Sequence, residues 1–279
     1  METAYKQLAT LYEIAKKVTL INDSPRAKAM RTLQLEKIVE KIVLHVRSML
    51  LLIDGNRGRF EEMDVALVAS AARNIIDSTN LYFHIAERGL SEDEKQLRFW
   101  TMYINGQCNT RDITQKLGFP EDCQRAGFEK FCRNRIREEI KHLPPFAALT
   151  ADEQAQILSG RKAVFRMRSP GILDTATESA VFNLLSNSTH GMFIGLGNNS
   201  INDTHIFSSF FGAAHLMSIS LLIARLYTAR VIKDYIALRK QLNRLLTADD
   251  KQRLKEYCLS DDLNTCLKQM SDEYESSPF

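Results

Sequence analysis

None of the five cysteines, Cys108, Cys123, Cys132, Cys258 and Cys266, falls in a C-x-x-C pair. That argues against a structural zinc site, and the odd count argues against a disulfide framework, so a reduced, cytoplasmic setting is expected. Walker A, G-x-S-x-G and H-E-x-x-H are all missing, and Gly195-Leu-Gly197 has neither a preceding strand nor a third glycine, which leaves no dinucleotide fingerprint. A carboxylate-bridged di-metal bundle uses two Glu-x-x-His pairs, and only Glu139 to His142 supplies one. The expectation is no metal and no cofactor. The start of the chain, METAYKQLATLYEIAKK, lacks the apolar core of a secretory signal. With 37 Lys+Arg against 34 Asp+Glu, the net charge of +3 is too small for the surface as a whole to attract nucleic acid, so any basic surface is local.

Strand signals are missing too. No run of alternating β-branched residues is bounded by turns, and no internal repeat is evident. What remains is helical almost throughout. Helices are expected over about Tyr5 to Thr19, from the Ser24-Pro25 cap to about Ile53, and from about Glu62 to Arg88 before Gly89. Ser91 with Glu94 reads as a capping box for a fourth helix ending near Gly118. Pro120 opens a fifth that stops before Pro144-Pro145, and Thr150 with Glu153 opens a short one ended by Gly160. Helices over about Thr175 to Thr189 and Thr204 to Leu246 follow, then one more capped by Thr247. In a chain of 279 residues this predicts one all-α domain over residues 1–270, a bundle of about eight to nine helices with two long spine helices, and a frayed polar tail over 271–279.

One stretch is almost without charge. From Ser179 to Ala224 the only formally charged side chain is Asp203, where average composition predicts roughly eleven. Neutral polar residues, including His190, His205 and His215, are mixed there with Phe, Leu and Ile. Such a mixture marks burial with satisfied hydrogen bonds, or the lining of a cavity. A membrane span over Ile206 to Ala224 is set aside because His215 and four serines interrupt it.

Two polar stripes stand out on otherwise apolar helices. In the third helix, Ser70, Arg73, Asp77, Asn80 and His84 are spaced by three, four, three and four residues, which places them on one face. The helix ending at Thr189 repeats the pattern with Ser179, Asn183, Ser186 and His190. An Arg held by an Asp four residues on serves either as a structural ion pair or as an anion-facing cation. A His at a helix C-terminus is favoured as imidazolium and titrates near neutrality.

The segment ASAARNIIDSTNLYFHIAERG, followed about a hundred residues later by LLSNSTHG, resembles a widespread all-helical bacterial family of unknown function. That family pairs an Arg-bearing helix with a Ser-x-x-x-His motif, and it is similar in turn to the HEPN superfamily of helical bundles. HEPN domains include ribonucleases of toxin and phage-defence systems, and others that only bind or dimerise. Active HEPN ribonucleases carry Arg-x(4–6)-His, often with Asn after the Arg. Here Ser186 stands where that Arg belongs, while Asn187 and His190 match. The resemblance thus implies either lost activity or a guanidinium supplied by Arg73. A literal spacing match, Arg137-EEIK-His142, lies in the charge-dense helix FEKFCRNRIREEIKH and reads as a solvated face.

Metal-free RNA cleavage needs a base for the 2′-hydroxyl proton and a cation for the phosphorane. His190 and Arg73 suit those roles, with Asp77 holding Arg73 and Asn187 donating. Ser186, Asn80, His84 and Asn183 are the expected pocket. Arg161, Lys162, Arg166 and Arg168, with Phe165 among them, are the expected phosphate grip. The expected partners are RNA or a small anionic ligand, and a second copy in a homodimer. The alternative is a non-catalytic module using the same pocket, or a scaffold whose stripes are structural.

Overall fold

The computed structural model describes residues 1–19, 27, 29–56, 63–119, 123–165, 170–189 and 212–276. These form eleven α-helices and one 3-10 helix, with no strand among them. In chain order the helices are α1 (Glu2–Val18), α2 (Met30–Gly55), α3 (Val65–Ala86), α4 (Glu92–Lys116), α5 (Cys123–Lys141), α6 (Pro144–Ala147), α7 (Ala151–Ser159) and α8 (Thr175–Thr189). Then come α9 (Ala213–Leu238), the 3-10 helix (Lys240–Leu245), α10 (Ala248–Tyr257) and α11 (Asp261–Ser276). The Ser24-Pro25 and Pro120 starts lie outside the described residues. The chain divides into two compact units, one of Met1–Tyr82 with Ser169–Phe279 and one of Phe83–Arg168.

The first unit is built around α9. Its sequence carries no formal charge from Ala213 to Ala224, and burial is how that largely apolar surface leaves water. Leu216, Ile219, Ile223, Leu226 and Val231 are fully buried, and α1, α2, α10, α11 and the 3-10 helix pack around the helix. By length and hydropathy α9 would also cross a membrane, but 83% of its most apolar window is covered by the protein itself, as in a core helix. Ser220 hands its hydroxyl back to the Leu216 carbonyl at 2.7 Å, and Arg239 at the far end pairs with buried Glu36 at 3.2 Å.

That pair sits where α9 stops. A single helix to Leu246 was expected; α9 ends at Leu238, Arg239 leaves the helical region with φ −111° and ψ 65°, and a 3-10 turn follows. Nothing in the apolar periodicity marks this break, where Arg239 meets Glu36 of α2, far away in sequence. α11 continues through Ser276, because Leu263 and Met270 are buried and tie it to α9.

The second unit has its own core of Leu97, Ile104, Ile136, Ile140, Phe146 and Ile157, with Phe165 closing it. Thr150 and Glu153 form the reciprocal capping box expected of them at the start of α7. Ser91 does only half of that job. Its hydroxyl accepts from the Glu94 N–H at 3.1 Å, but the Glu94 carboxylate turns away to Arg98 at 3.0 Å. A buried guanidinium is a stronger partner than one exposed N–H.

Gly160 ends α7 in the left-handed region, φ +77°. A Cβ there would lie 2.5 Å from the Cys108 Sγ and 2.9 Å from its Cβ. Gly160→Ala therefore meets both backbone strain and a clash with α4. The expected cost is about 2–3 kcal/mol, read as a lowered urea midpoint. A variant as stable as the wild type would show that α4 yields freely at Cys108.

Candidate functional site

Two tyrosines of the first unit place the striped helices. Tyr82 of α3 donates to the Asp234 carboxylate at 3.1 Å, and Tyr227 of α9 donates to Glu178 of α8 at 2.9 Å. Burial, reinforced by the negative charge of Glu178, pushes the Tyr227 hydroxyl far above its ordinary range, so it stays protonated and donating. Both α3 and α8 are thus fastened to α9 through phenol–carboxylate bonds.

Arg73 of α3 reaches α8. Its guanidinium carbon lies 5.2 Å from the Phe182 ring centroid, a cation–π contact of about 0.5–1 kcal/mol. Asp77 is less close than its spacing suggested. The nearest approach, Nη2 to Oδ2, is 3.7 Å, with side chains 31% and 49% exposed. An exposed i,i+4 pair at that distance adds little stability, so the stripe is no buried ion pair. The Arg73 Nε is buried with no acceptor. Its guanidinium is steered mainly by an aromatic face, which leaves N–H donors for an incoming anion. Phe182 was missed in the sequence because it reads as one more apolar residue. Its register with Ser186, four residues on, was the available signal.

Along α8, Asn183 is exposed, while Ser186 and Asn187 are half-buried. The hydroxyls of Ser188 and Thr189 are used up on the Leu184 and Ser186 carbonyls, each at 2.8 Å. His190 follows at once in the chain but lies outside the described residues, as do Arg166 and Arg168. Asn80, two turns beyond Arg73 on α3, keeps a buried Oδ1 without a hydrogen bond.

His84 does a different job. It is 3% exposed, its ring meets Phe165 edge-on at a centroid distance of 5.9 Å, and neither ring nitrogen has a partner. Burial first, and then the Arg98 charge, push its pKa down to about 4 against a weaker opposing pull from Glu87. The imidazole is neutral at physiological pH.

The basic stretch after α7 is also partly structural. Lys162 is engaged by Glu153 at 3.4 Å, Arg161 is exposed, and Phe165 is a core residue rather than a stacking platform. No group of three or more His, Cys, Asp or Glu side chains converges among the described residues.

No family model, curated protein or solved structure matches the chain.

Function therefore has to be argued from this seam itself. Its chemistry is that of a cation on an aromatic face, beside a helix end that carries an amide, a hydroxyl and, next in sequence, an imidazole. Arg73 brings a positive charge against Phe182, and Ser186, one turn further along α8, is half-buried.

Proposed function

We propose that the chain is a HEPN-like helical protein of a bacterial defence or toxin system, with α2 and α9 as its spine, acting in the cytoplasm as a homodimeric, metal-independent ribonuclease. His190 takes the 2′-hydroxyl proton as the 2′-oxygen bonds to phosphorus. Arg73 neutralises the phosphorane, and the proton returns to the leaving 5′-oxygen to yield a 2′,3′-cyclic phosphate. Phe182 orients Arg73, while Ser186 and Asn187 donate to the non-bridging oxygens. The observation that carries this reading is Arg73 itself, a guanidinium seated on Phe182 with a buried Nε lacking any acceptor. A second reading rests on Ser186 standing where HEPN ribonucleases carry Arg: the same seam then holds a small anion without cleaving it.

Expression of the wild type, Arg73→Ala and His190→Ala in a bacterial host separates the two. The ribonuclease predicts growth arrest with fragmented RNA for the wild type only, the variants accumulating as folded protein. Intact RNA in all three, with the wild type folded, supports the binding module instead.

A further inference from the structure

A groove in the second unit carries more unpaired positive charge than any stripe read from the sequence. Cys108, Arg111, Asp112 and Gln115 of α4 face Lys130, Arg133, Asn134 and Arg137 of α5 across a cleft of about 340 Å³, which Ser159 closes at one end. Each helix contributes positions i, i+3, i+4 and i+7, so the groove follows both for two turns, about 10 Å. The one lining carboxylate among the described residues, Asp112, is already paired with Lys116 at 2.7 Å.

Among the described residues the four cations make no ion pair. Arg137 donates to the Leu158 carbonyl at 2.7 Å and to the Asn134 side chain at 3.3 Å, both neutral. Arg111 and Lys130 are exposed along the rim and make no ion pair among the described residues. Arg133 is only 5% exposed, and its Nη1 is buried without any acceptor. An unpaired guanidinium at the floor of a cleft is costly by itself, and it becomes favourable when an anion enters.

We infer that this groove binds the phosphodiester backbone of single-stranded RNA. Lys130, Arg133 and Arg137 step along it at about 4.5–6 Å of rise each, a spacing that tracks successive phosphates rather than a single ion, and positive grooves of this kind follow single strands without reading sequence. A flat anionic bilayer would meet Arg111 and Lys130 but not the sunken Arg133. The inference concerns a site separate from the Arg73 seam and does not require that seam to be catalytic.

The test is fluorescence anisotropy of a labelled 2′-O-methyl oligouridylate, which has no 2′-hydroxyl to be attacked, so the outcome is independent of the ribonuclease proposal. Binding is measured against salt for the wild type, Arg133→Met and the rim double variant Arg111→Ala/Lys130→Ala. The expected results are salt-dependent binding by the wild type, at least tenfold weaker binding by Arg133→Met, and a log–log salt slope shallower by about 0.7 for each phosphate contact removed. Arg133→Met should unfold at the same temperature as the wild type or higher, which a purely structural arginine would not allow. The inference is overturned by no binding at low salt, or by undiminished binding in both variants. It is also overturned by tripolyphosphate, polyglutamate or phosphatidylserine vesicles binding where the oligouridylate does not.

Discussion

Arg225→Ala should be the most destabilising single substitution in the first unit, by about 3–4 kcal/mol. Arg225 is 2% exposed in the middle of α9. One Nη1 reaches both Gln7 of α1, at 2.6 Å, and the Asp262 carboxylate of α11. Its Nη2 donates to the Leu259 carbonyl at 3.3 Å, and the guanidinium lies 5.9 Å from the Tyr257 ring centroid. One side chain thus joins α1, α9, α10 and α11. Truncation leaves a cavity beside α9 and strips the Gln7 amide and the Leu259 carbonyl of their donor. Asp262 is 54% exposed and returns to water at little cost, so Asp262→Asn should lose only about 1–2 kcal/mol. Urea unfolding followed by helical signal reads both. Equal losses, or a harmless Arg225→Ala, would show that packing around α9 alone holds these helices.

Acid should weaken the second unit through His84. The unfolded imidazole titrates near 6.5, the folded one at about 4. A base whose folded pKa is depressed binds its proton more readily when unfolded, so its contribution is intact above about pH 6.5 and is lost as the pH falls toward 4. Allowing for screening by nearby water, the loss is about 2 kcal/mol. His84→Phe removes the titration, and since neither ring nitrogen has a partner it should cost little at neutral pH. The decisive quantity is the drop in unfolding free energy between pH 7 and pH 4.5, compared between the two proteins. Carboxylates titrate in both and cancel, so equal drops would refute the role given to His84.

Features set by neighbours in the chain were legible in advance. The capping box at Thr150 and the cap at Thr247 formed where expected, and Gly160 ended α7 as expected. The single-residue stop at Arg239 was not legible, because no local signal in the sequence marks it and its partner, Glu36, lies on another helix. The α5 groove stripe was written in the sequence at the same three–four spacing as the α3 stripe. It was overlooked because FEKFCRNRIREEIKH also carries Glu129, Glu138 and Glu139, which dilute the charge count although they fall on other faces of the helix.

The sequence by itself determined that the chain is helical, where most of its helices start and stop, and which one is buried on every side. Those properties follow from backbone propensity, capping and the 3.6-residue period, all of which act over a few residues. The tertiary structure alone decided what surrounds each polar stripe. It seated Arg73 on Phe182 rather than Asp77, walled His84 behind Arg98 and Phe165, and left Arg133 unpaired at the floor of a groove. A charged side chain is defined by the groups around it, and those groups arrive from segments far away in the chain.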